Sequence, residues 1–357
     1  MNRIDMTAYG LQKNSFSLSS EYQKLYQIGR VTVQERNVYR LVTCKGERLA
    51  ELSGRLRHSV QSPLGFPAVG DFVTVRADDV DGHALIQEVL PRKSLFVRKS
   101  AGTSRTEQVI AANIDTVFIC MSLNGDFNLR RLERYLAAVW SSGARPVVML
   151  TKADLCAAPE SCIHEAALLS AGTDVIAVSS LSEKGYEAVL PYIQPEKTVA
   201  FTGSSGVGKS TLINRLLGEN RLLTNGLRND DKGRHTTTRR ALFLLPQGGM
   251  VIDTPGMREL GLWEADDGLN RSFADVELLT ASCRFRNCTH TVEPGCAVQK
   301  ALSDGTLLPE RWVSYQKLTA ENRYAANGDT YLQQKKQKFK VIALDNKNTA
   351  KRKEHQS

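Results

Sequence analysis

No apolar run in this 357-residue chain approaches the ~20 residues that a membrane-spanning helix needs. Residues 1–10 lack the apolar core of a secretory leader, so a cytoplasmic protein without a membrane partner is the expectation. No internal repeat is present. Four of the seven cysteines (Cys44, Cys120, Cys156 and Cys162) are scattered singly, which points to core packing and not to a disulfide framework. Hydrophobic residues make up 41% of the chain and charged residues 24%, which excludes wholesale disorder. At ~100–200 residues per domain, the length implies two or three domains.

Acids are in the minority, 38 against 47 Lys and Arg, for a net charge of +9. The excess is concentrated in residues 331–357, where eight basic residues face only Asp345 and Glu354. Such a tail suits phosphate contact through counterion release, with a solvated, frayed terminus as the alternative.

Pattern divides the chain into five parts. Residues 1–27 are polar without a clear period and read as a flexible extension. Over 28–100, short alternating segments at 31–33, 38–43, 48–52, 71–76 and 84–90 are separated by turn residues. Five short strands predict a small β-barrel, an RNA-binding OB-fold, although an SH3-like barrel has the same pattern. Arg92, Lys93, Arg98 and Lys99 at its exit suit a nucleic-acid surface. A Gly/Ser/Thr stretch around 101–107 reads as a linker into residues 101–264. There, apolar strands at 113–121, 146–151, 175–180 and 198–202 alternate with helical stretches such as 129–141, the signature of a layered α/β fold with a mainly parallel sheet. Residues 265–330 are helical and cysteine-rich, and 331–357 form the basic tail.

The string Gly203-Ser204-Ser205-Gly206-Val207-Gly208-Lys209-Ser210, followed by Thr211, satisfies G-x-x-x-x-G-K-[ST]. The glycines let backbone N–H groups curl round a β-phosphate in front of a helix N-terminus. Lys209 would reach the β/γ oxygens and Ser210 would ligate Mg²⁺. An apolar strand then ends in Asp253-Thr254-Pro255-Gly256, with Asp253 placed to hold Mg²⁺ through water and Gly256 to sense the γ-phosphate. Between them lie Thr236, Thr237 and Thr238; Thr238 is the choice for completing the magnesium shell. Thr151-Lys152-Ala153-Asp154 follows a strand and matches [NT]-K-x-D, whose carboxylate accepts from guanine N1 and N2 as adenine cannot reciprocate. Ser179-Ser180 resembles the loop whose backbone touches guanine O6. GTP is therefore expected over ATP. The base-reading loops precede the phosphate loop, the reverse of an ordinary GTPase, which reads as a circular permutation.

Cys283, Cys288, His290 and Cys296 form C-x4-C-x-H-x5-C. Three thiolates and an imidazole suit one tetrahedral structural Zn²⁺ with no open position for catalysis. Arg284 and Arg286, between the ligands, could meet phosphate.

These motifs together resemble the circularly permuted GTPases dependent on the small ribosomal subunit, the RsgA/YjeQ family, over about residues 30–323. The resemblance rests on Gly203–Ser210, Gly233-Arg234-His235-Thr236-Thr237-Thr238, Asp253–Gly256, the run Cys283 to His290 and Glu293-Pro294-Gly295-Cys296-Ala297-Val298. It implies an OB domain, a central permuted GTPase domain and a C-terminal zinc domain. It also implies rRNA contacts and GTP hydrolysis, stimulated by the subunit, late in small-subunit maturation. Two features depart from the pattern. Thr151 stands where many members have Asn, which implies modest weakening of nucleotide binding. Met257 stands where Ras-like enzymes place a water-orienting Gln, so intrinsic turnover should be low, and the resemblance offers His235 as the catalytic helper. Gly206 takes the place of the Asn of potassium-stimulated GTPases, so potassium activation is not expected. The alternatives are a GTP-dependent RNA-binding switch whose hydrolysis is incidental, and a P-loop ATPase with an RNA-binding barrel. A monomer is the expected state.

Overall fold

The computed structural model describes residues 3–12, 16, 19–35, 38–76, 83–99, 107–170, 172–179, 186–219, 240–253 and 266–326. The chain divides into two compact units, Met1–Gly261 and Leu262–Ser357.

Alternating sequence folds as the first five strands: β1 (Tyr26–Glu35), β2 (Val38–Thr43), β3 (Gly46–Leu52), β4 (Phe72–Arg76) and β5 (Ala84–Val89). They pair in the order β1-β2-β3-β5-β4, and β4 closes back on β1. The parallel β3–β5 step within this closed five-stranded path selects the OB-fold over the SH3-like alternative. One residue in two faces inward, so Val31, Leu41, Ala50, Val73, Val75 and Ile86 fill the interior. Between β3 and β4 runs a short helix, α2 (Gly54–Ser59), whose N-cap Ser53 accepts from the Leu56 N–H at 3.1 Å.

In its described residues the stretch 1–27 is anchored and not loose. Helix α1 (Ser20–Leu25) leads into β1, and the Tyr22 hydroxyl donates to Glu88 Oε2 at 3.1 Å. The Ile4 N–H donates to the Cys44 carbonyl at 3.0 Å, and the Phe16 ring meets Phe72 edge-on at 5.5 Å. Single anchors of this kind leave no period in the sequence.

The second set of strands comprises β8 (Thr116–Ser122), β9 (Arg145–Thr151), β10 (Asp174–Val178), β11 (Thr198–Gly203), β12 (Arg240–Leu244) and β13 (Met250–Asp253). They lie in the order β10-β9-β8-β11-β13-β12, parallel throughout except for the antiparallel β12–β13 pair. Helix α3 (Leu129–Ser141) begins where Asn128 Oδ1 accepts from the Arg131 N–H at 2.9 Å; α4 (Pro159–Leu169) and α5 (Lys209–Leu217) follow. Phe118, Val147, Met149, Val199, Phe201 and Val251 pack beneath Leu212, Ile213 and Leu216 of α5.

Barrel and parallel sheet are continuous, because β1 also pairs with β12 and makes one eleven-stranded sheet. Arg30 of β1 is buried at this seam. Its guanidinium donates to the Tyr9 carbonyl, to the Asn113 carbonyl at 3.3 Å and to Thr198 Oγ1 at 2.9 Å, and it lies 4.8 Å over the Phe72 ring.

Two expectations are corrected here. The Gly/Ser/Thr stretch is not an interdomain linker, because the strands on either side of it, β6 (Leu95–Lys99) and β7 (Glu107–Ala112), pair antiparallel; residues 100–106 themselves lie outside the described residues. Arg92 and Lys93 are not unpaired cations, although Lys93 is half exposed. Arg92 grips the buried Asp71 through two 2.7 Å bonds, and Lys93 Nζ lies 2.7 Å from Asp115 Oδ1.

The second unit contains α6 (Asp266–Ser272), α7 (Ala274–Ala281), α8 (Ala297–Ser303) and α9 (Pro309–Ala326). Leu269, Phe273, Val276, Val298, Leu307, Trp312 and Leu318 are among its buried apolar residues. A two-pronged Arg311–Asp275 pair, at 2.7 and 2.6 Å, ties α9 to α7.

Candidate nucleotide site and metal centre

Parallel strands bring their C-terminal ends to one sheet edge, where ligands of open α/β sheets bind. Thr151 registers with both Ser122 and Val178, and Gly203 with Cys120, so the ends of β8, β9, β10 and β11 are level. Asp253 closes β13, which runs parallel beside β11. Loops far apart in sequence, and in permuted chain order, therefore share one edge.

The phosphate loop leaves β11 at Gly203, whose φ is +136°. A Cβ there would lie 2.2 Å from the Cys120 carbonyl oxygen, so only glycine permits this approach of β11 to β8. Cys120 beneath it is buried, and burial pushes its thiol up to about 12, so it is inert packing. Ser204, Ser205, Gly206 and Val207 form the turn. Gly208 caps α5 in the left-handed region with no side-chain hydrogen bond, leaving the first N–H groups of a nine-residue helix without a side-chain cap. Lys209, Ser210 and Thr211 open that helix, and Lys209 Nζ donates to the Gly203 and Ser204 carbonyls at 2.8 and 2.6 Å.

The base-reading loop meets this loop directly. The buried Thr151 hydroxyl lies 2.7 Å from the Val207 carbonyl and 3.3 Å from the Met121 carbonyl, and donates to them. Thus Thr151 supplies the tie to the phosphate loop that its departure from Asn had put in question. Lys152 follows in the left-handed conformation at φ +57°, which turns the chain into a single 3₁₀ turn, Ala153–Leu155, carrying an exposed Asp154. A small cleft beside it is lined by Thr151, Val178, Ser179, Tyr186, Gly208 and Leu212, with the Arg215 guanidinium 4.7 Å over the Tyr186 ring. Sequence reasoning did not single out Tyr186, Arg215 or the Val207 carbonyl; their part arises from chain segments that only the fold brings together. Ser180, His235, Thr238, Gly256, Met257 and the tail 331–357 lie outside the described residues.

In the second unit, one ligand atom from each of Cys283, Cys288, His290 and Cys296 lies within 4.8 Å of all the others. Cys283 Sγ is 3.9 Å from Cys296 Sγ, and His290 Nδ1 is 3.5 and 3.6 Å from these two sulfurs. A tetrahedral ion with ~2.3 Å bonds to sulfur sets sulfur–sulfur edges of roughly 3.8 Å, so the four donors fit such an ion. The loop is shaped for this. His290 sits at φ +58°, its carbonyl accepts from Gln299 Nε2 at 2.6 Å, and the Glu293 carboxylate accepts from the Thr289, Thr291 and Val292 N–H groups. Hydrogen bonds from the Thr289 hydroxyl and from these amides hold the Glu293 carboxyl well below the usual carboxylate range.

The sequence model of the RsgA GTPase family matches residues 89–263. A small ribosomal subunit biogenesis GTPase RsgA 2 of Lactiplantibacillus plantarum is 49% identical over 335 residues, covering 93% of this chain and 94% of that protein. A small ribosomal subunit biogenesis GTPase RsgA of Opitutus terrae is 47% identical over 307 residues, covering 83% and 84%. Among solved structures, YjeQ from Thermotoga maritima matches with a TM-score of 0.61 at 25% identity, covering 83% of this chain and 98% of that one. YloQ, described as a circularly permuted GTPase, shares the fold with a TM-score of 0.58 at 24% identity, covering 85% and 97%. With its permuted loops gathered at one sheet edge, an OB barrel before them and relatives of this identity along most of its length, the chain belongs to the RsgA family of small ribosomal subunit biogenesis GTPases.

Proposed function

We propose that this chain binds the small ribosomal subunit and its rRNA and hydrolyses GTP to GDP and phosphate during late small-subunit maturation, with turnover stimulated by the subunit. The observation that carries the nucleotide part is the 2.7 Å bond from Thr151 to the Val207 carbonyl. It locks the loop bearing Asp154 against the loop bearing Lys209, so base and phosphates are read by one rigid unit. Lys209, already level with the phosphate loop, serves the β/γ oxygens; Ser210, Thr238 and Asp253 serve Mg²⁺; Ser179, Ser180 and Gly256 complete the nucleotide contacts. His235 is the catalytic helper in place of the glutamine that Met257 replaces. The Cys₃His donor set favours Zn²⁺, bracing the second unit. Arg55, Arg57 and His58, all exposed on α2, support an rRNA contact through the barrel. The protein acts as a cytoplasmic monomer; among the described residues no helix is long and apolar enough to cross a membrane.

Competition binding with GTP and ATP tests the nucleotide reading. GTP should bind well and ATP negligibly, and Asp154→Asn should move preference towards xanthosine triphosphate. ATP binding comparable to GTP would overturn it.

A further inference from the structure

The second unit holds a cavity of about 570 Å³ beside the metal centre, within the ~300–1,000 Å³ of typical ligand sites. One wall is a stripe of α9: Trp312, Tyr315, Gln316, Thr319 and Arg323, in which Trp312 is three and four residues from the adjacent Tyr315 and Gln316, and Thr319 and Arg323 follow on the same helix face. The facing wall is the metal-binding loop, with Phe285, Arg286 and His290. Of this stripe only Trp312 is buried; Ser314, Leu318 and Asn322, the other residues that α9 buries, lie off it.

Three properties of the lining select a ligand class. First, the walls contain two arginines and no carboxylate, so an anion is favoured. The nearby acid Glu277 is outside the lining and accepts from the Tyr315 hydroxyl at 2.8 Å, which fixes that ring. Second, the aromatic surface is rigid. Trp312 stacks on Tyr315 at 5.6 Å and 23°, and the His290 ring meets Trp312 edge-on at 5.5 Å, so the metal site steadies the platform. Phe285 opposite is 41% exposed, with the Arg284 guanidinium 5.5 Å from its ring centroid. Third, Gln316 and Thr319 offer donors and acceptors between rings and cations.

A planar aromatic ring carrying a phosphate satisfies all three properties. Resting on the reading of this chain as an RNA-contacting GTPase, we infer that this cavity captures a single unpaired nucleotide of RNA, stacking its base on the Phe285/Tyr315 surface and pairing its phosphate with Arg286 and Arg323. Unstacked bases splayed onto aromatic and arginine side chains are the usual mode of single-strand RNA recognition. The chain's own tail is an unsuitable occupant, since its eight basic residues against two acids would face two arginines.

The test is anisotropy of labelled short oligo(A) and oligo(U) single strands on the full-length, zinc-loaded protein, with GDP saturating the guanine site. Phe285→Ala should weaken binding about tenfold, within the range for losing one base–aromatic stack. Arg286→Gln should weaken it and lower the slope of log affinity against log salt by about 0.7. Phe285→Tyr should restore affinity, and unchanged zinc content and circular dichroism would show that the variants fold. Equal affinity of wild type, Phe285→Ala and Arg286→Gln would overturn the inference. So would equal binding of free GMP or AMP, which would make the ligand a mononucleotide, or equal binding of duplex RNA. Subunit-stimulated GTP turnover of the wild type is measured in parallel: its absence would count against the GTPase reading, whereas the oligonucleotide affinities report on the cavity alone.

Discussion

Replacing Thr151 by valine removes one hydroxyl while keeping the β-branched shape. That hydroxyl is the donor to the Val207 carbonyl at 2.7 Å, and Thr151 is only 4% exposed, so water cannot take its place. A buried acceptor stripped of its donor costs about 1–3 kcal/mol. The bond is made within the chain itself, so part of the loss should appear as stability, lowering the Tm by roughly 2–4 °C per kcal/mol for a domain of this size. The rest should appear as affinity, because two untethered loops must be ordered at binding. About tenfold weaker GDP and GTP corresponds to ~1.4 kcal/mol. Preference for GTP over ATP should survive, since Asp154 is untouched. Fluorescent-nucleotide titration and thermal melting measure both parts, and Thr151→Ser, which keeps the hydroxyl, should bind close to wild type. A Thr151→Val variant that binds GDP and melts like wild type, or a Thr151→Ser variant as weak as Thr151→Val, would refute this role of the hydroxyl.

Gly203→Ala should abolish nucleotide binding, because its Cβ would meet the Cys120 carbonyl at 2.2 Å, while Gly54→Ala, with no neighbour within 4 Å, should bind normally in the same titration. Arg30→Ala should destabilise the first unit by about 3 kcal/mol or more in urea unfolding, since it leaves the Tyr9 and Asn113 carbonyls and the Thr198 hydroxyl without their shared donor. A cost below ~1 kcal/mol would show that this guanidinium is a passenger at the seam. Chelation should expose Cys283, Cys288 and Cys296 to thiol reagents and reduce helical circular dichroism, as the connection between α7 and α8, which carries all four ligands, loses its metal; unchanged helicity on complete metal removal would mean that the metal does not brace this unit.

The places of the candidate site residues were legible wherever those residues are contiguous. The phosphate loop, Thr151 to Asp154 and the run from Cys283 to Cys296 each fit within a few turns of chain, and strand periodicity placed the first two at sheet ends. Pairings between distant segments were not legible. Alternation announces five strands but does not say that β3 pairs with β5, which separates an OB barrel from an SH3-like one. Arg30 in a strand reads as a surface residue until Tyr9, Asn113 and Thr198 surround it. Arg92 and Lys93 suggested a phosphate-binding face because charge reveals sign but not partner, and their partners Asp71 and Asp115 lie about twenty residues away. The α9 stripe of Trp312, Tyr315 and Thr319 passes for a core face, and only the loop opposite shows that it lines a cavity.

The central claim is that GTP turnover belongs to an encounter with the small ribosomal subunit. It is tested most directly by the rate of phosphate release from GTP, with ATP as control, with and without purified small subunits. Slow release alone, a large acceleration by small subunits and none by large subunits is the predicted result. The same slow rate with and without small subunits, while GTP still binds tightly, would contradict the account.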